Sequence, residues 1–195
     1  METIQFKDEN LKKAILSEMK EQNLIALDAH DITEADALKV KELELFCEHI
    51  KLIEGLEKFK NLTNLYLSSN AISDLKPIAG MTKLTWLALD HNSISDLTPL
   101  AGLSNLKMLW LHSNHISNLK PLKTLTNLTI LNLYHNHISN IEPLTQLSNL
   151  TALFLDDDQI ADILQRTKTE EEFQEVKNKL DKLPVTQAIP AVHER

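Results

Sequence analysis

An asparagine recurs every 22 residues, at Asn70, Asn92, Asn114 and Asn136, with Asp158 in the next place of the series, and a proline keeps the same period at Pro77, Pro99, Pro121 and Pro143. A fixed period of this length admits one kind of fold, a solenoid in which each repeat forms one coil and buries its apolar face only by stacking on its neighbours. With Leu62 as position one, apolar residues fall at positions 1, 4, 6, 11, 14, 17 and 20, as Leu62, Leu65, Leu67, Ile72, Leu75, Ile78 and Met81.

Positions 3 to 7 alternate, so positions 4 and 6 point into the coil and positions 3, 5 and 7 point out, as the period of two in a strand requires. Each coil then adds one strand to a parallel sheet. The asparagine at position 9 follows the strand where the chain turns inward. Its amide can satisfy backbone groups that the turn leaves unpaired, which assigns Asn70, Asn92, Asn114 and Asn136 a structural role. Proline at position 16 has no N–H to donate, so the return side of each coil is expected to be a short 3₁₀ turn rather than a strand. Strands crowd more closely than such turns, and the sheet is expected to line the concave side of the arc.

Residues 40–61 fit the same register through Val40, Leu43, Leu45, Ile50, Ile53, Leu56 and Phe59, but carry Glu48 in place of the asparagine and Gly55 near the proline place. They form a degenerate first coil. Ahead of them, Leu11, Ile15, Leu16 and Met19 share one helical face, and Thr33 with Asp36 three residues on opens a second helix as a variant capping box. Beyond the repeats, Thr169 precedes a helix that aligns Phe173, Val176 and Leu180 and ends at Leu183 and Pro184. The expected organisation is a helical N-terminal cap at 1–39, a solenoid at 40–163 and a C-terminal capping helix and tail at 164–195.

The outward residues fall in rows about 4.8 Å apart from coil to coil. Position 3 carries Asn64, Trp86, Met108, Ile130 and Ala152; position 5 carries Tyr66, Ala88, Trp110, Asn132 and Phe154; position 7 carries Ser68, Asp90, His112, Tyr134 and Asp156. Trp86, Trp110 and Tyr134 step diagonally across this map and are expected to stand as an exposed aromatic stripe flanked by Met108 and Ile130. Aromatic residues of this kind anchor protein interfaces, so a protein-binding face is read at Tyr66, Trp86, Met108, Trp110, His112, Ile130, Tyr134 and Phe154.

Six of the eight histidines, His49, His91, His112, His115, His135 and His137, fall at positions 7, 8 or 10, on the rim of that face. Two uses are weighed: a binding rim that titrates near pH 6.5, and a metal site from His112, His135 and Asp156. The repeat itself brings like residues into rows without any ligand, and no metal or cofactor is assigned.

The formal net charge of −8 is unevenly spread. Residues 62–155 carry five basic and four acidic groups, while both flanks are acidic, which leaves no footprint for nucleic acid or for an anionic membrane. Cys47 is the single cysteine, so neither an intrachain disulfide nor a thiolate zinc site can form. With three glycines there is no phosphate-cradling loop, and no nucleophile-elbow or zinc-protease motif occurs. The expectation is a non-enzymatic monomer. The opening METIQFKDEN lacks a secretory signal pattern, giving a cytoplasmic expectation for the sequence as written and a secreted one if it begins after a removed signal.

The stretch NLTNLYLSSNAISDLKPIAGMTKLTWLALDHNSISDLTPLAGLSNL is similar to the 22-residue leucine-rich repeats of bacterial internalins, a class shared with eukaryotic SDS22-like proteins, and the segments FKDENLKKAI and ITEADALKVKEL resemble their cap. The resemblance implies a right-handed, curved α/β solenoid with a parallel β-sheet on the concave face, 3₁₀ turns on the convex face and helical caps at both ends. It also implies binding of a protein partner on the concave face, as by a bacterial host-interaction factor. The alternatives are an intracellular SDS22-like regulatory subunit of an enzyme and, third, a metal-dependent enzyme on the histidine rim.

Overall fold

A computed structural model describes residues 2–167 and 169–186 of the 195-residue chain. Six three-residue strands, β1 (Glu42–Glu44), β2 (Asn64–Tyr66), β3 (Trp86–Ala88), β4 (Met108–Trp110), β5 (Ile130–Asn132) and β6 (Ala152–Phe154), form one parallel sheet in sequence order. The register advances by 22 residues per coil, Leu65 on Leu87 and Leu87 on Leu109, so the hydrophobic positions of successive coils lie in line. Five 3₁₀ turns occupy the return side, at Leu56–Lys58, Lys76–Ile78, Thr98–Leu100, Lys120–Thr124 and Glu142–Gln146. The last four open with proline in the first turn. Each of these four is set up by a side chain two residues ahead, as Asp74, Asp96, Asn118 and Asn140 accept from the N–H of Lys76, Thr98, Lys120 and Glu142 at 2.8–3.0 Å. Because these turns are bulkier than strands, the sheet takes the inside of the curve.

Inside the coils the leucines and isoleucines form one continuous core. The asparagine ladder runs through it. Asn92 donates to the carbonyls of Leu67, Leu89 and Asp90 and accepts from the N–H of Ile72, and Asn114 repeats the pattern one coil later on Leu89, Leu111, His112 and Ile94. These are backbone groups that a tight inward turn would otherwise bury unpaired. The ladder's last rung is not Asp158, which is exposed. Buried Gln159 takes that place instead, its amide donating to Leu133 O at 3.0 Å. The residue ahead of each asparagine, Ser69, His91, Ser113 and His135, adopts left-handed backbone at φ 51–57°, as does Cys47 in the first coil at φ 61°. Side chains there leave the strand line and project at the rim.

Helix α1 (Glu9–Glu21) buries Leu11, Ala14, Ile15 and Met19 over the first coil, and the short helix α2 (Glu34–Ala37) carries the Thr33–Asp36 capping box. Asp8 joins this cap to the solenoid: its carboxylate accepts from Asn10 N and Leu11 N at the helix start and from Lys51 N and Leu52 N of the first coil. Gly55 replaces the proline of later coils because its φ of 106° and the approach of Phe6, 2.6 Å from where a Cβ would stand, exclude any side chain.

At the far end, α3 (Asp157–Gln165) starts directly after β6 under a capping box from Asp156, and α4 (Glu170–Lys182) follows with Thr169 as N-cap. Residues 183–186 do more than end that helix. Pro184 O accepts from Leu153 N and Thr186 N donates to Leu153 O, at 2.8 and 2.7 Å, so the chain lays its own backbone along the open edge of β6. Gln187 and the rest of the tail lie outside the described residues. Among the described residues no helix is long and apolar enough to cross a membrane.

Candidate functional site

The parallel register sets the concave face. Asn64, Trp86, Met108, Ile130 and Ala152 form one row, and Tyr66, Ala88, Trp110, Asn132 and Phe154 a second. The first row is half-buried throughout. The second is covered: Tyr66 is 7% exposed, Trp110 6%, Phe154 1% and Asn132 0%. Trp110 is therefore not the exposed centre of a stripe. On a concave sheet, neighbouring side chains converge, and large rings fold over the small residues between them. Trp110 and Phe154, two strands apart, lean together until their rings stack at 6.4 Å, and Asn132 lies between them in the register.

The diagonal stripe is also redrawn. Trp86 packs into the cluster of Tyr66, Ala88 and Trp110, its ring edge-on to Tyr66 at 5.1 Å. Tyr134 turns to His135, 4.7 Å away. What results is a covered floor of Tyr66, Trp110 and Phe154 beside a half-exposed row of Trp86, Met108, Ile130 and Ala152. Four polar atoms of this face are buried without a hydrogen-bond partner: Trp86 Nε1, Trp110 Nε1, Asn132 Nδ2 and His112 Nδ1. Such atoms are uncommon in folded proteins, and four of them on one surface leave it with unused donors.

The rim at position 7 divides into two polar groups. Ser68 Oγ donates to Asp90 Oδ1 at 2.7 Å, and Asp90 Oδ2 lies 3.6 Å from His112 Nε2, with the His91 ring 5.0 Å from that of His112. Separately, Asp156 accepts from His135 N at 2.8 Å and stands 3.8 Å from its Nδ1 while capping α3. The trio His112, His135 and Asp156 does not converge. Among the described residues the one histidine and acid group close enough to share an ion is Asp90, His91 and His112. Burial pushes the His112 imidazole below its usual range and outweighs the opposing pull of Asp90.

The face also reaches one coil further than the sequence map, which began at Asn64. The register places Glu42 and Glu44 of β1 beside Asn64 and Tyr66, and Phe46 follows at position 7, 40% exposed. Burial, and then Glu42, push the Tyr66 hydroxyl up to about 12. The signal for these residues was present in the register of the degenerate coil. Cys47, in left-handed backbone, is exposed.

The family model described as "Leucine rich repeat" matches residues 60–116, and the one described as "Leucine Rich repeats (2 copies)" matches residues 126–166, together half of the chain. No curated protein sequence matches. Among solved structures, internalin InlF of Listeria monocytogenes is similar at 24% identity with a TM-score of 0.62, over 81% of this chain and 54% of its own. Internalin C2 of the same organism is similar at 28% identity and a TM-score of 0.59, over 94% of each chain. A leucine-rich-repeat protein of Leptospira interrogans is similar at 28% and 0.57, over 67% of this chain and 36% of its own. The chain thus spans about half of InlF and about a third of the Leptospira protein, but nearly all of internalin C2. With the repeat register, the two family matches and these likenesses in hand, the chain belongs to the leucine-rich-repeat proteins, of the bacterial internalin-like kind.

Proposed function

We propose that this protein-interaction module engages a protein partner through the concave face, with Trp86, Met108 and Ile130 as its contact row. The observation that carries this reading is the half-exposed apolar row of Trp86, Met108 and Ile130 beside the covered aromatic floor on the outer face of the sheet. Folding alone is served by apolar residues at positions 4 and 6 of each strand and gains little from a second apolar layer on the outer face. A shallow arc of this width suits a protein surface better than a small molecule, which needs an enclosing pocket. Glu42 and Glu44 at one end of the face favour a partner with basic groups flanking an apolar centre. We take a host-side partner, which the resemblance of the repeats to bacterial internalins implies, as the first candidate class, ahead of an enzyme within the producing cell.

Site-specific photo-crosslinking tests the face. A benzophenone side chain at position 108 or 130 should give a defined adduct from a mixture of candidate host proteins, while one at the convex positions 76 or 98 should not. Adducts from the convex positions alone would place the contact elsewhere.

A further inference from the structure

We propose that Asp90, His91 and His112 form a binding site for a zinc-class divalent transition-metal ion at the concave rim. The fold assembles it from two adjacent coils. Asp90 and His91 follow β3, His112 follows β4, and the register that pairs Ala88 with Trp110 brings them alongside, with His91 N donating to His112 O at 2.9 Å. One donor atom from each residue lies within 4.8 Å of the other two. The separation of 3.6 Å between Asp90 Oδ2 and His112 Nε2 is close to the about 3.4 Å between two tetrahedral ligands on zinc. His91 has to draw in, and it is the exposed member with room to do so.

Three further features fit. Ser68 Oγ already holds Asp90 Oδ1 at 2.7 Å, which leaves Oδ2 for a metal and orients the carboxylate as ligand-supporting hydrogen bonds do. Burial disfavours the charged form of the His112 imidazole, and the neutral form is the one that ligates. Two imidazoles and one carboxylate suit zinc and its neighbours, whereas calcium requires six or more oxygens, far more than are offered here. Three protein donors leave a fourth position open to water or to a donor from a partner. The sequence had offered His112 with His135 and Asp156 instead; Asp156 is engaged with His135 and the start of α3, while Asp90 stands against His112, which moves the group to Asp90, His91 and His112.

The test uses the full chain without an affinity tag, stripped of metal and titrated with zinc against a chromogenic indicator, with calcium in parallel. One equivalent of zinc should bind with micromolar or tighter affinity and millimolar calcium should not compete. His91→Asn, which tolerates the left-handed backbone, and His112→Gln should each weaken zinc at least tenfold, and His135→Ala should leave it unchanged. Circular dichroism of each variant separates lost binding from lost fold, and exposed His91 provides the readout if His112→Gln unfolds. Absence of saturable uptake, or uptake that survives His91→Asn or vanishes with His135→Ala, overturns the assignment.

Discussion

Leu109 and Trp110 are adjacent in β4 and point to opposite sides of the sheet, yet both are buried, by different means. Leu109 is enclosed by the coils above and below it, while Trp110 is enclosed by the rings of its own face. The same substitution therefore separates four environments. Leu109→Ala should cost about 2–5 kcal/mol through the cavity it leaves. Trp110→Ala should cost about 3 kcal/mol, because Phe154 and Asn132 lose their cover. Trp86→Ala, in the half-exposed row, should cost about 1 kcal/mol, and exposed Lys107→Ala less still. Thermal unfolding of the four variants checks the order; a Trp110→Ala variant that melts with Lys107→Ala would mean the ring is not covered. Strand alternation alone assigns Trp110 to the outside and stops there. Whether an outward ring meets water depends on its neighbours 22 and 44 residues away, and on the curvature that brings them together.

Periodicity made the repeating elements legible: the asparagine ladder and the proline-opened turns rest on residues whose backbone demands are the same in every coil. What escaped it lies where the period breaks. At the C-terminal end the final rung moves one residue, from Asp158 to Gln159, because a helix starts there and a carboxylate has no N–H to donate to Leu133 O, whereas the Gln159 amide does. Leu183 and Pro184 read as a helix end, since the pairing of residues 184–186 with β6 depends on where α4 delivers the chain. The Thr33–Asp36 helix start was legible from local capping chemistry.

At the other end Asp8 ties α1 to the first coil through four backbone N–H groups. Burial would raise its carboxyl, but the N–H groups of Lys51, Leu52, Leu11 and Asn10 outweigh it and hold the pKa below the usual carboxylate range. A depressed folded value means that its stabilisation is complete above roughly pH 4 and is lost as pH falls through the lower, folded value. Asp8→Asn keeps one acceptor oxygen but leaves a pair of backbone N–H groups facing an NH2, so it should lower the melting temperature at pH 7 by the equivalent of about 1–2 kcal/mol and flatten the acid limb of stability below roughly pH 4. An unchanged acid limb would show that the Asp8 clamp does not form.

Across the molecule, the near-neutral repeats carry the aromatic floor and contact row, and an acidic flank begins where the face ends at Glu42 and Glu44. The rigid ladder beneath means that this surface is preformed, so binding should change its solvent access more than its shape. Amide hydrogen exchange of the chain, alone and with a crosslinked or captured partner, reads that directly. Protection should concentrate in residues 86–90, 108–112 and 130–134, the strands of the central coils and the rim just after them, with the 3₁₀ turns at 76–78 and 98–100 unchanged. Protection confined to those convex turns or to the helical caps, with the three concave segments exchanging as in the free protein, would contradict it.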